Sequence, residues 1–99
     1  MGITATVIGA TGYAGAELVR LLSDHPRVRL TSLVSRQYAG RPFSHVYPAM
    51  AGIVDMPCDD FSKLPTTKTA DVVFTALPHK ASMGVIPGLL QQGHKVVDL

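Results

Sequence analysis

Gly9, Gly12 and Gly15 recur at intervals of three, with Thr11, Tyr13 and Ala14 between them. They follow an apolar run and open directly into a helical pattern. Anion binding is the chemistry this spacing allows. Glycine lets the chain bend tightly and brings bare backbone N–H groups close to a ligand. The helix dipole adds partial positive charge at the same spot, so the natural guest is a phosphate or pyrophosphate. Gly9, Thr11, Gly12, Tyr13, Ala14 and Gly15 are the candidate residues for that contact. Ser35-Arg36 and Leu77-Pro78-His79 are the other two groups whose types could meet a charged, partly aromatic ligand. Cys58 could in principle be a nucleophile. It precedes Asp59-Asp60, whose carboxylates raise a thiol pKa, so it reads as structural. His25 reads as a solvated helix-end residue, and His45 has no partner in the pattern. No Ser/His/Asp set and no metal-ligand spacing stands out.

The elements that must position these groups follow the chain. Ile3 to Ile8 predicts a short buried strand, rich in β-branched residues. Tyr13 to Ser23 predicts a helix with Ala14, Leu18, Leu21 and Leu22 on its buried face, Val19 beside them, and Glu17 and Arg20 outward. Asp24-His25-Pro26 stops it. Val28 to Val34 predicts a second strand, ending at Ser35-Arg36. Strand, glycine turn, helix and strand over roughly thirty residues is the βαβ unit of a dinucleotide fold. Arg41 to Gly52 reads as loop with one helical turn, Ile53 to Pro57 as a short edge strand, and Asp59 to Leu64 as a short helix. Asp71 to Leu77 predicts a central strand covered on both faces. A helix over about Ala81 to Gln92 follows, broken or kinked at Pro87-Gly88. Its buried side is Val85, Ile86, Leu89 and Leu90, and Gly93 is a C-cap candidate. His94 to Leu99 starts a further strand. The expected architecture is a Rossmann-like, doubly wound parallel α/β sheet. Val96-Val97-Asp98-Leu99 reads as a buried parallel strand without a following turn, which predicts an incomplete sheet. Residues 1–99 would then be the start of a larger protein, ending at or within a strand.

The second strand of such a unit ordinarily ends in an Asp or Glu that binds the adenosine ribose of NAD. Here Ser35-Arg36 stands at that place. A guanidinium stacks on adenine or pairs with a 2′-phosphate, a hydroxyl donates to the same phosphate, and an acid would repel it. The expected cofactor is therefore NADP. Leu77-Pro78-His79 lies at the C-terminal end of the central strand, where ligands of open α/β sheets bind. It would approach the cofactor from the side opposite the glycine turn, with His79 toward the nicotinamide end and no catalytic role assigned to it.

Composition bounds the rest. At 99 residues the chain is one domain at most. A net charge of +2 with no Lys/Arg cluster gives no reason to expect nucleic acid. One cysteine excludes an internal disulfide and a cysteine-rich metal site. No apolar run reaches transmembrane length, and the N-terminus lacks the basic region of a signal peptide. The expected location is the cytoplasm.

Gly9-Ala10-Thr11-Gly12-Tyr13-Ala14-Gly15-Ala16-Glu17-Leu18 resembles the opening of the N-acetyl-gamma-glutamyl-phosphate reductases of arginine biosynthesis. So do Leu33-Val34-Ser35-Arg36, Phe74-Thr75-Ala76-Leu77-Pro78-His79 and Lys95-Val96-Val97-Asp98-Leu99. The resemblance covers essentially the whole chain and is weakest from Arg41 to Thr69. Aspartate-semialdehyde dehydrogenase shares the glycine turn and a Ser-Arg type strand end. Its counterpart of Leu77-Pro78-His79 is small and glycine-rich, and that segment, with Tyr13-Ala14, separates the two. The resemblance implies a two-domain, homo-oligomeric, NADPH-dependent reductase that converts an acyl phosphate to an aldehyde with release of phosphate. It implies a cysteine nucleophile and an acid/base histidine, both in motifs that residues 1–99 do not contain; Cys58 does not match. The chain would hold the cofactor cradle and no catalytic residue. The alternatives are a free-standing, non-catalytic dinucleotide-binding regulatory module and the cofactor domain of an aspartate-semialdehyde dehydrogenase.

Overall fold

The computed structural model describes residues 2–63, 70–91 and 93–99. Four strands form one parallel sheet: β1 (Ile3–Ile8), β2 (Val28–Val34), β3 (Val72–Thr75) and β4 (Val96–Asp98). Their order is β2-β1-β3-β4. Helix α1 (Tyr13–Ser23) connects β1 to β2, α2 (Phe43–Val46) is a single turn, and α3 (His79–Gln91) connects β3 to β4. Successive strand residues point to opposite faces. Val7, Leu33 and Phe74 therefore pack on the side of α1, with Val19 and Phe43. Ile8, Val34 and Val73 pack on the other side, with Leu89 and Val85 of α3. A parallel sheet covered by helices on both faces is the doubly wound Rossmann-like arrangement expected. Among the described residues no helix is long and apolar enough to cross a membrane.

α1 has the predicted limits but a different buried face. Gly15 and Val19 are buried, with Ala16, Leu18 and Leu22 partly so, while Ala14 is exposed and Leu21 is 53% exposed. The helix is turned by about one residue, roughly 100°. Gly15 causes this: it seats its backbone against the glycine turn, which no larger residue in the stripe could do. Glu17 and Arg20 point outward as expected and form a surface ion pair.

α3 is one continuous helix from His79, not a helix broken at Pro87. Pro87 removes one N–H from the ladder, that which would bond the carbonyl of Met83. Met83 and Pro87 are both exposed, so the carbonyl lies on the water side and the helix continues. Leu90, two turns beyond Met83 on the same side, is 56% exposed rather than buried. Gly93 ends the helix at φ 84°, with its N–H donating to the Leu90 carbonyl (3.0 Å) and the His94 N–H to that of Leu89 (3.1 Å). That pairing is a Schellman cap. Gln92 lies outside the described residues.

Ile53 to Pro57 forms no strand, and Ile53 is 62% exposed. Ile53 and Val54 donate to the Met50 carbonyl, and the segment meets the chain near Phe43 only at an isolated bridge, Pro42 with Pro57, where the Phe43 N–H donates to the Met56 carbonyl (2.9 Å). Asp59 to Leu64 shortens to one 3-10 turn, Phe61–Lys63, and Leu64 lies outside the described residues. Arg41 to Gly52 holds α2 and a second helical turn, Pro48–Met50. Two of its side chains, Phe43 and Met50, belong to the core. β4 stands last in the order of the four strands, and its Val97 is 44% exposed.

Asp71 latches the base of the sheet. Its carboxylate accepts from the Thr4 N–H (2.9 Å) and the Thr4 hydroxyl (3.1 Å), and its N–H donates to the Thr4 carbonyl (3.0 Å). These bonds hold the carboxyl below its usual value of 3.8. A folded-state pKa below the unfolded one gives stability that is present above about pH 4 and lost as pH falls through the folded value. Asp71→Asn is expected to remove part of the acid-side loss of stability below pH 4. Melting temperature against pH checks this; an unchanged acid limb would refute it.

Candidate functional site

Strand order reverses between β1 and β3, since the chain leaves β1 toward β2 and returns on its other side. Ligands of open α/β sheets bind at the C-terminal strand ends beside such a point. Here the Ala76 N–H donates to the Ile8 carbonyl (2.8 Å), setting the end of β3 level with the glycine turn. A cavity of about 390 Å³ opens there, lined by Gly9, Thr11, Gly12, Ser35, Arg36, Gln37, Phe61, Ala76, Leu77, Pro78 and Ala81. Of the sequence-predicted residues, Gly9, Thr11, Gly12, Ser35, Arg36, Leu77 and Pro78 thus meet around one space, and Tyr13, Ala14 and Gly15 lie outside its lining.

The three glycines have different reasons to be glycine. Gly9 has φ 83°, and a Cβ on it would lie 2.5 Å from the Ala76 carbonyl oxygen. A Cβ on Gly15 would lie well under 3.0 Å from the Gly9 carbonyl oxygen. Both are glycines because the chain packs backbone on backbone. Gly12 differs. It is extended (φ −74°, ψ 170°), and a Cβ there would meet only the Gly9 oxygen, at an ordinary 3.6 Å. Nothing in the fold demands glycine at this position; what its bareness provides is open access to the helix end.

That helix end is suited to an anion. No side chain caps α1, and its first turn holds no acidic residue. Among the described residues none accepts from the amides of Tyr13 and Ala14. Their side chains are exposed, Tyr13 at 96%, so their contribution to a ligand would come through the backbone.

Thr11 is held from two sides. Its hydroxyl and that of Ser35 are 2.8 Å apart, and Ser35 also accepts from the Tyr38 N–H (3.1 Å). Ser35 is buried, so this pair ties the end of β2 to the glycine turn. On the other side the Tyr47 hydroxyl donates to the Thr11 carbonyl (2.6 Å). Burial raises the Tyr47 phenol above its usual 10, and Tyr13 and Tyr38 add to the effect, so it stays a protonated donor at neutral pH. The Phe43 ring, 5.2 Å away between centroids, backs it.

Arg36 is exposed at the cavity rim, its guanidinium 4.7 Å from the Phe61 ring centroid. Leu77 packs into the α3-side core and Pro78 lines the cavity opposite the glycine turn. His79 opens α3; its side chain lies outside the described residues. Cys58 is buried in the α1-side core. Burial and the Asp59 carboxylate both push its thiol up, away from a reactive thiolate. His25 and His45 are exposed and stand apart from the cavity.

Phe61 and Tyr47 were not foreseen from the sequence. Both lie in the irregular stretch between β2 and β3, where no periodicity marks which aromatic turns inward. The one available signal was the aromatic residue following Asp59-Asp60.

The family described as semialdehyde dehydrogenase, NAD binding domain, matches residues 4–99. The N-acetyl-gamma-glutamyl-phosphate reductase of Heliobacterium modesticaldum is 50% identical over 97 residues, which are 98% of this chain and 28% of that protein. Those of Desulforamulus reducens and Citrifermentans bemidjiense are 46% and 43% identical over the same shares. The chain thus spans 28% of the length of these relatives. In fold it is similar to an aspartate semialdehyde dehydrogenase from Candida albicans solved with NADP. That match has a TM-score of 0.84 at 24% identity and covers 99% of this chain and 29% of that one. A 3-ketoreductase from Actinomadura kijaniata, in complex with TDP-benzene and NADP, superposes at a TM-score of 0.74 and 19% identity, over 99% of this chain and 30% of that one. The glycine turn at a strand-order reversal, the two-faced sheet and a family match over nearly its whole length agree: this chain belongs to the NAD-binding domains of the semialdehyde dehydrogenase family.

Proposed function

We propose that residues 1–99 are the N-terminal part of the NADP-binding domain of an N-acetyl-gamma-glutamyl-phosphate reductase. The observation that carries the cofactor assignment is Gly12, bare where the fold does not require it, at an uncapped helix end facing a cavity. A pyrophosphate would rest on the amides of Tyr13 and Ala14, with Gly9 and Gly15 shaping the turn and Thr11 and Ser35 fixing its height. Arg36, standing where the second strand of such a unit ordinarily carries an Asp or Glu, would receive the 2′-phosphate. Leu77, Pro78 and the start of α3 at His79 would flank the nicotinamide half. When bound, NADPH supplies hydride; the residues of this chain hold and orient it.

The choice of reductase rests on the 42–50% identity to relatives of that name. In this reading the substrate is an acyl phosphate, converted to the semialdehyde by nucleophile and acid/base groups on a separate catalytic domain. The whole protein is a cytoplasmic homo-oligomer. Arg36→Ala tests the cofactor assignment. Charge-assisted hydrogen bonds contribute about 1.5–3 kcal/mol, so NADPH affinity is expected to fall about 10- to 100-fold with NADH affinity nearly unchanged. Fluorescence titration with each cofactor measures both. Equal losses would sink the 2′-phosphate assignment.

A further inference from the structure

We propose that Phe61 is a specificity-determining positioning residue, whose ring holds the Arg36 guanidinium at the cavity rim ready for the 2′-phosphate. This rests on the reading of Arg36 given above. Phe61 is fixed by two independent features. One side of it packs against the α3-side core with Ile8, Val34, Val73 and Leu89. Its segment is also pinned to β2, where the Ser35 N–H donates to the Asp59 carbonyl (3.0 Å) and the Asp59 N–H to that of Leu33 (2.7 Å). The remaining ring surface lines the cavity and lies 4.7 Å beneath the guanidinium. Among the described residues no carboxylate pairs with Arg36. The ring is therefore what restrains an otherwise mobile, exposed cation, and it does so without neutralising the charge that a phosphate needs. A carboxylate partner would restrain it equally well and compete with the phosphate.

The test is cofactor titration of the full-length protein carrying Phe61→Leu or Phe61→Tyr, with circular dichroism on each variant. Leucine keeps the core contact and loses the π face; tyrosine keeps both. Phe61→Leu is expected to weaken NADPH binding about three- to fivefold, the size of an exposed cation–π contact, and to leave NADH binding unchanged. Phe61→Tyr stays at the parent value. Phe61→Met, flexible enough to refill the core, repeats the measurement should leucine disturb folding. In the Arg36→Ala background, Phe61→Leu adds no further loss of NADPH affinity. Equal weakening of NADPH and NADH binding would make Phe61 a plain cavity wall and overturn the proposal. Arg36→Ala separates the two failures: if it discriminates between cofactors while Phe61→Leu does not, only the clamp is wrong. If Arg36→Ala does not discriminate, the 2′-phosphate reading beneath it fails as well.

Discussion

Gly15→Ala is expected to melt the chain about 12–24 °C lower than the parent, from an overpacking cost near 3 kcal/mol in a domain of this size. The direction runs against helix propensity, which favours alanine over glycine by about 1 kcal/mol inside a helix. The clash overrides it because the added methyl would meet backbone. A Cβ on Gly15 would lie under 3.0 Å from both the Gly9 carbonyl oxygen and its carbon, and 3.0 Å from the Ala10 Cα. A flexible side chain could swing away from that contact. The glycine turn cannot, since the Gly9 and Ala10 amides both donate to the Val34 carbonyl (2.9 and 3.1 Å). Relief would require α1 to lift off the sheet, opening the core around Val19. Thermal denaturation followed by far-UV circular dichroism decides it. A midpoint within a few degrees of the parent would mean that α1 can shift freely over the turn.

Gly12→Val should do the opposite: keep the fold and lose the cofactor. At Gly12 a Cβ meets only an ordinary 3.6 Å contact, and the extended backbone is open to any residue. The structural cost is the poorer valine N-cap, on the order of 1 kcal/mol. For a bound pyrophosphate the branched side chain would stand between ligand and first-turn amides. Losing two charge-assisted hydrogen bonds costs about 3 kcal/mol or more, so NADPH and NADH affinities should both fall at least about 100-fold. Unchanged affinity in a folded Gly12→Val chain would place the phosphate elsewhere. Gly12 and Gly15 lie three residues apart, yet one substitution tests binding and the other tests packing.

That difference also marks how far the residues could be read in one dimension. The glycine triplet was visible as a unit, and so was its place between strand and helix. Which glycine serves the fold and which the ligand depends on what lies opposite each Cα. For Gly9 this is Ala76, far along the chain on β3. The rotation of α1 was hidden for a similar reason. Ala14, Leu18 and Leu21 make an acceptable apolar stripe, and only the contact of Gly15 with the turn excludes it. In α3, Pro87 signalled a break, but its effect depended on whether the deprived carbonyl faced solvent or core.

The limits of β1, α1 and β2 were determined by the sequence itself, because local periodicity, caps and turn residues act within a few residues of one another. So were the end of α3 at Gly93 and the chemical character of the glycine turn and of Ser35-Arg36. The stretch between β2 and β3 was decided only in three dimensions. Its Phe43 fills the core without periodic neighbours, Tyr47 reaches back to Thr11, and Phe61 returns to meet Arg36. The last two of these contacts each join residues at least 25 positions apart. The place of Phe61 follows from the edge of β2 capturing the Asp59 backbone, a pairing that no local propensity encodes.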